Sequence, residues 1–218
     1  MRVRAILFDL DGTLVEPSID FEHMREVVLG IVVRYGMAPE PFRTMHVLEL
    51  VASVRSRLEV TDGDAAGRFV AETARAILDI ELEAAGRVSP YAGVSEMLAT
   101  LKRRGYAIGI VTRNCRAAVE RILGRVPLMH DVLLTRDDVP EVKPNPRHLL
   151  AALCKLGVAG QDALMCGDHV MDVIAGRRAG TKTAGILRPG VPPDYFEEVQ
   201  PDLVLKQVTD LLAALDKH

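Results

Sequence analysis

An interruption limits this chain more than any other feature. Val3 to Phe8 is a short, mostly apolar run that reads as a buried strand, yet residues from about 19 to 86 hold no convincing strand to pair with it. That stretch shows helical spacing instead. Phe21, Met24, Val27, Val28 and Ile31 form one stripe; Met45, Leu48, Val51, Val54 and Leu58 a second; Phe69, Ala76, Ile77 and Ile80 a third. Pro39 and Pro41 separate the first two helices, and Thr61-Asp62-Gly63-Asp64 separates the second from the third. A lone strand cannot bury itself, so its partners must lie beyond the helices.

They begin after Pro90. Residues 106–112, 131–135, 162–168, 182–187 and 201–205 read as strands, and 95–104, 116–123, 146–156, 172–179 and 207–216 as helices. Short apolar runs alternating with helices of this length point to βαβ units around a parallel sheet. The expected fold class is therefore α/β, a Rossmann-like three-layer parallel sheet core with an inserted all-helical cap domain. Residues 1–14 and 88–218 are assigned to the core and 15–87 to the cap. Linkers near Val15–Ile19 and Arg87–Tyr91 are the expected hinges, and the Pro-rich stretch 188–196 is expected to be a surface loop.

Composition narrows the function by exclusion. The net charge is −3 and Trp is absent, which argues against nucleic acid as a partner. No apolar run is long enough for a membrane span. The three cysteines, Cys115, Cys154 and Cys166, form no C-x-x-C pair and read as small buried residues of a cytoplasmic protein. The histidines show no metal spacing.

The chemistry gathers where the strands end. In an open parallel sheet, ligands bind beyond the carboxyl ends of the strands. The first strand ends in Asp9-Leu10-Asp11-Gly12-Thr13, that of 106–112 in Thr112-Arg113-Asn114, and that of 162–168 in Gly167-Asp168 with Asp172 four residues on. Lys143-Pro144 precedes the helix near Pro146. Carboxylates gathered at one edge repel unless a cation sits among them, and Mg2+ suits oxygen ligands beside a phosphate. Lys143 and Thr112 could bind phosphate oxygens, an aspartate could attack phosphorus, and a second acid could move the proton.

The four segments DLDGT (9–13), Thr112, KPNP (143–146) and GDHVMD (167–172) together resemble the motifs of the haloacid dehalogenase superfamily of phosphohydrolases. The resemblance covers residues 1–14 and about 88–205. It implies that Asp9 is the nucleophile and a Mg2+ ligand. Asp11 would be the general acid/base, with its backbone carbonyl a further ligand. Thr112 and Lys143 would bind phosphate, Asp168 would ligate the metal, and Asp172 would support it. Arg113, which departs from the Asn common in relatives, is a further phosphate-binding candidate beside Thr112. The position of the insert resembles the helical-cap subfamily that includes phosphoglycolate phosphatase. Dehalogenases lack an acid at the position of Asp11, so phosphate chemistry is expected. The implied partner is a small phosphorylated metabolite, acted on by a monomer or dimer. A sugar-phosphate or nucleotide phosphatase, a phosphomutase and a non-catalytic phospholigand-binding module are the alternatives.

Overall fold

A computed structural model describes residues 3–216. Its described residues divide into two compact units. One runs to Pro17 and resumes at Val88; the other is Ser18–Arg87.

The first unit is built on a single parallel sheet. Strand β1 (Ala5–Phe8) is followed in the chain by three helices of the second unit, α1 (Phe21–Arg34), α2 (Val47–Thr61) and α3 (Gly63–Ala85). Then come α4 (Val94–Arg103), β2 (Ala107–Val111), α5 (Arg116–Arg125), β3 (Val132–Leu134), α6 (Arg147–Leu156), β4 (Ala163–Gly167), α7 (Val170–Arg178), β5 (Lys182–Ile186), β6 (Leu203–Leu205) and α8 (Leu211–Asp216). The strand order is β3-β2-β1-β4-β5-β6, and every pairing is parallel. This is the α/β, Rossmann-like architecture expected from the sequence.

All four residues of β1 are buried, because neighbours cover both faces of the strand. Ala5 and Leu7 point to the face covered by Leu149, Ala152 and Leu153 of α6 and Ala175 of α7. Ile6 and Phe8 alternate to the other face and are equally inaccessible. β1 is central, between β2 and β4, so its carboxyl end opens at the point where the strand order reverses.

The second unit buries the apolar stripes read from the sequence. Val28, Phe42, Leu50, Val54 and Phe69 meet in one core, and Tyr35 packs edge-on to Phe69 with ring centroids 5.3 Å apart. Asp20 starts α1 by accepting from the His23 N–H, at 2.8 Å. Asp62 ends α2 and starts α3, its side chain accepting from the Ala65 N–H.

The structure differs from the sequence reading in several details. The division between units falls at Ser18, later than the expected 15. Val15 stays with the sheet unit because it bridges both Asp11 and Pro90, and the Glu16 N–H donates to the Ser89 carbonyl. The segment expected as one helix over 207–216 splits into a 3-10 turn (Val208–Asp210) and the short α8. Cys154 is exposed, on the outer side of α6, whereas Cys115 and Cys166 are buried as expected. No helix among the described residues is long and apolar enough to cross a membrane.

Phe69→Ala should lower the free energy of unfolding by about 3–5 kcal/mol, since it removes a fully buried ring and the partner of Tyr35. Urea unfolding followed by circular dichroism measures it; a loss below about 1 kcal/mol would show that the cavity collapses.

Candidate active site

Asp9 directly follows the buried β1. Its N–H donates to the Cys166 carbonyl at 2.9 Å, carrying the ladder with β4 one residue past the strand. The chain then turns sharply: the Leu10 carbonyl accepts from Leu14 at 2.9 Å and from Val15 at 3.1 Å. Gly12 makes this turn possible. Its φ is +83°, and a Cβ there would lie 2.5 Å from Asp168 Oδ2. The turn therefore brings backbone against a carboxylate that belongs to a distant strand.

β4 delivers that carboxylate. Asp168 follows Gly167 and is 5% exposed. Its Oδ1 accepts from the Thr13 hydroxyl at 2.9 Å. Its Oδ2 lies 2.8 Å from Arg188 Nε, an ion pair whose N–H is not aligned for a hydrogen bond. Asp172 sits in the first turn of α7 and serves two partners. Oδ2 accepts from the His169 N–H at 3.1 Å, closing a capping box with His169 at the helix start. Oδ1 accepts from Lys143 Nζ at 2.7 Å. A Cβ at Gly167 would strike this carboxylate at 2.1 Å, so only glycine lets Asp172 lie against the end of β4.

Lys143 joins the two acids. Its side chain is 1% exposed, and its ammonium lies 2.8 Å from Asp9 Oδ1 and 2.7 Å from Asp172 Oδ1. Burial alone would favour the neutral amine, but Asp172 and Asp9 outweigh it and the Lys143 pKa rises, so the ammonium stays charged. Behind it, the Lys143 N–H donates to His148 Nδ1 at 3.4 Å. Burial and then the lysine charge hold the His148 pKa down at about 3, which keeps that nitrogen an acceptor.

The β2 end supplies neutral groups. Thr112 is buried, and its N–H donates to Leu134. Its hydroxyl oxygen accepts from the Asn114 N–H at 3.1 Å, which leaves the hydroxyl proton able to donate to a ligand. Asn114 Nδ2 donates to Asp11 Oδ2 at 3.2 Å. Arg113 turns toward the lysine loop: its Nη1 donates to the Lys143 carbonyl at 2.9 Å and also contacts Met171 Sδ.

Asp9, Asp168 and Asp172 thus offer carboxylate oxygens that all lie within 4.8 Å of one another. They outnumber Lys143 and Arg188, the two cations paired with them. Burial pushes the Asp9 carboxyl upward, against the pull of Lys143. Burial, then Asp9 and Asp172, push Asp168 up to about 7. A buried set of hard oxygen donors with excess negative charge fits Mg2+.

Thr13, Asn114, His148 and Arg188 touch this site but were not singled out as functional in the sequence. Thr13 and Asn114 lie inside motifs whose acids and Thr112 attract the eye first. His148 carries no metal spacing. Arg188 begins a Pro-rich loop, and its position just beyond β5 at the carboxyl edge is the one signal that marks it.

A family model described as haloacid dehalogenase-like hydrolase matches residues 6–186. The chain belongs to this family. Among relatives, pyrophosphatase PpaX of Bacillus cereus (strain B4264) is 34% identical over 218 residues, covering 99% of this chain and 97% of that one. Two solved structures share the fold. A Lactobacillus plantarum chain assigned as a phosphoglycolate phosphatase matches with a TM-score of 0.69 at 24% identity, over 98% of this chain and 99% of its own. The β-phosphoglucomutase of Clostridium difficile matches with a TM-score of 0.71 at 16% identity, over 99% and 96%. The protein is thus a hydrolase by family, and the gathered acids are where this family member's chemistry is to be sought.

The raised Asp168 value has a consequence for stability. Between its ordinary value of 3.8 and about 7, the folded protein holds a proton that the unfolded chain has released. Stability of the metal-free protein should therefore fall as pH rises through that window and level off above it. Asp168→Asn should flatten this slope in urea midpoints measured with a chelator present. An unchanged slope would assign the pH dependence to other groups.

Proposed function

We propose that this hydrolase is a Mg2+-dependent phosphatase that works through an aspartyl-phosphate on Asp9. One observation carries the reading: a buried lysine ammonium is clamped between Asp9 and Asp172, with Asp168 beside them, at the carboxyl end of a central parallel strand. A structural ion pair would need one carboxylate, not three.

The residues divide the work by position. Both hydrogen bonds to Asp9, from Leu10 N–H and Lys143, fall on Oδ1. Oδ2 is then the oxygen presented to phosphorus. Its attack forms the aspartyl–phosphorus bond and breaks the bond to the leaving oxygen. Asp11, two residues on and oriented by Asn114, gives its proton to that oxygen. In the second step Asp11 takes a proton from water, the water oxygen bonds to phosphorus, and Asp9 is released with orthophosphate. Lys143 holds Asp9 in place and offsets charge on the transferring group. Thr112 donates its hydroxyl proton to a phosphoryl oxygen. Arg113 steadies the Lys143 loop through its contact with the Lys143 carbonyl. Asp9, Asp168 and the Asp11 carbonyl would hold Mg2+, which supplies charge neutralisation and orientation of the phosphoryl oxygens.

The substrate is a small phosphorylated metabolite, with a phosphoglycolate-like monoester as the first reading. Inorganic pyrophosphate is a second, favoured by the full-length similarity to a pyrophosphatase. Phosphate release from a panel of phosphomonoesters and pyrophosphate tests both. Asp9→Asn should lower turnover at least about a thousandfold, as expected for loss of a nucleophile. Chelation should abolish wild-type turnover and Mg2+ restore it. Equal turnover by Asp9→Asn would refute the covalent mechanism, and no release from any substrate would refute the phosphatase reading.

A further inference from the structure

Arg188 stands two residues past the end of β5, in the loop expected only to be surface. Its guanidinium reaches back over the carboxyl edge of the sheet to Asp168, with Nε 2.8 Å from Oδ2. The side chain is 29% exposed, so it lies neither in solvent nor in the core. Asp168 is its only ion-pair partner among the described residues. A guanidinium has five N–H donors in a fixed fork, suited to a planar or tetrahedral anion. One edge here faces Asp168, and the terminal nitrogens have no hydrogen bond to the described residues.

Charge makes this placement informative. Asp168 is the carboxylate that the proposed metal would draw on. Once its charge is engaged by a divalent cation, the positive charge of Arg188 is no longer matched by its one acidic partner. The protein then holds a cation with unengaged donors beside Asp168, whose ligating oxygen lies within 4.8 Å of one of Asp9. Asp9 and Asp172 take two of the three Lys143 donors, which leaves at most one for the transferring phosphoryl group and none for a second anionic group.

We propose that Arg188 is a specificity-determining residue that binds a second anionic group on the substrate, beyond the phosphoryl group transferred to Asp9. This rests on the phosphatase reading above and deepens it. The substrate class is a phosphoryl compound whose leaving group carries its own negative charge, either a second phosphate or a carboxylate. A phosphomonoester with an uncharged leaving portion lacks that contact and gains nothing from Arg188.

The test compares wild type, Arg188→Met and Arg188→Lys on three compounds with saturating Mg2+: pyrophosphate, 2-phosphoglycolate and p-nitrophenyl phosphate. Arg188→Met should lower kcat/KM for at least one of the first two about tenfold more than for p-nitrophenyl phosphate, chiefly through KM. Arg188→Lys should recover part of that difference. A selective loss on pyrophosphate assigns the second group as phosphate; a selective loss on phosphoglycolate assigns it as carboxylate. Equal loss on all three compounds, or loss in kcat with an altered Mg2+ requirement, would overturn the proposal and leave Arg188 acting through Asp168. No loss on any compound would overturn it too. If Arg188→Met does not fold, the charge-preserving Arg188→Lys decides alone, since loss of the fork should still weaken an anionic substrate more than p-nitrophenyl phosphate. Asp9-dependent hydrolysis of p-nitrophenyl phosphate by the wild type tests the phosphatase reading separately. Its absence would bring down both.

Discussion

A lysine ammonium removed from water has to be matched, and here it is matched twice. Lys143 lies between Asp9, just past the end of β1, and Asp172, in the first turn of the helix that follows the neighbouring strand β4. Desolvating a charge costs several kcal/mol unless geometry and hydrogen bonds return it. The surrounding design supplies that geometry. Gly167 lets Asp172 lie against β4, His148 accepts from the Lys143 backbone, and Arg113 fastens the Lys143 carbonyl. Removing any one acid would leave the ammonium with a single partner and the other acid with an unshared cation. Stability and the proposed chemistry therefore rest on the same three side chains.

Asp168 stands slightly apart from this trio and behaves differently. It has Thr13 on one oxygen and Arg188 on the other, and its carboxyl is pushed up to about 7 by burial and its acidic neighbours. Such a group is poorly matched by protein alone. An acid pair held by lysine and a third acid short of positive charge together leave the cluster with more carboxylate charge than the cations paired with it. Asp172, which could have been a simple helix-start acid, turns out to be that and the lysine's partner, one oxygen for each.

Much of this was legible in the sequence, for identifiable reasons. Parallel strands end at one edge, so polar clusters directly after apolar runs were bound to converge, and Asp9, Lys143, Asp168 and Asp172 did. The stripes of α1, α2 and α3 were visible because an amphipathic helix repeats its signal over several turns. Other features were hidden because their cause is tertiary. The boundary at Ser18 depends on bridges from Val15 to Asp11 and Pro90, which no local pattern encodes. The strand over 201–205 was read and β6 lies within it, but the break ahead of the short α8 involves too few residues for periodicity to speak. Arg188 reaches the site only because β5 aims its loop there. A Pro-rich stretch advertises a turn, not its destination.

The pairing of Val15 with Pro90, reinforced by Glu16 and Ser89, draws the two ends of the helical insertion together at the sheet unit. Topologically, everything from Ser18 to Arg87 is then one long loop whose mouth is already closed. The entropic cost of closing a loop grows only with the logarithm of its length. A descendant of this chain could lengthen, trim or exchange the helices at little cost to the sheet, provided the residues at the mouth still meet. The acids of the β1 turn, fixed on the near side of that mouth, would be spectators to the change. Architecture of this kind separates what can vary from what must hold still.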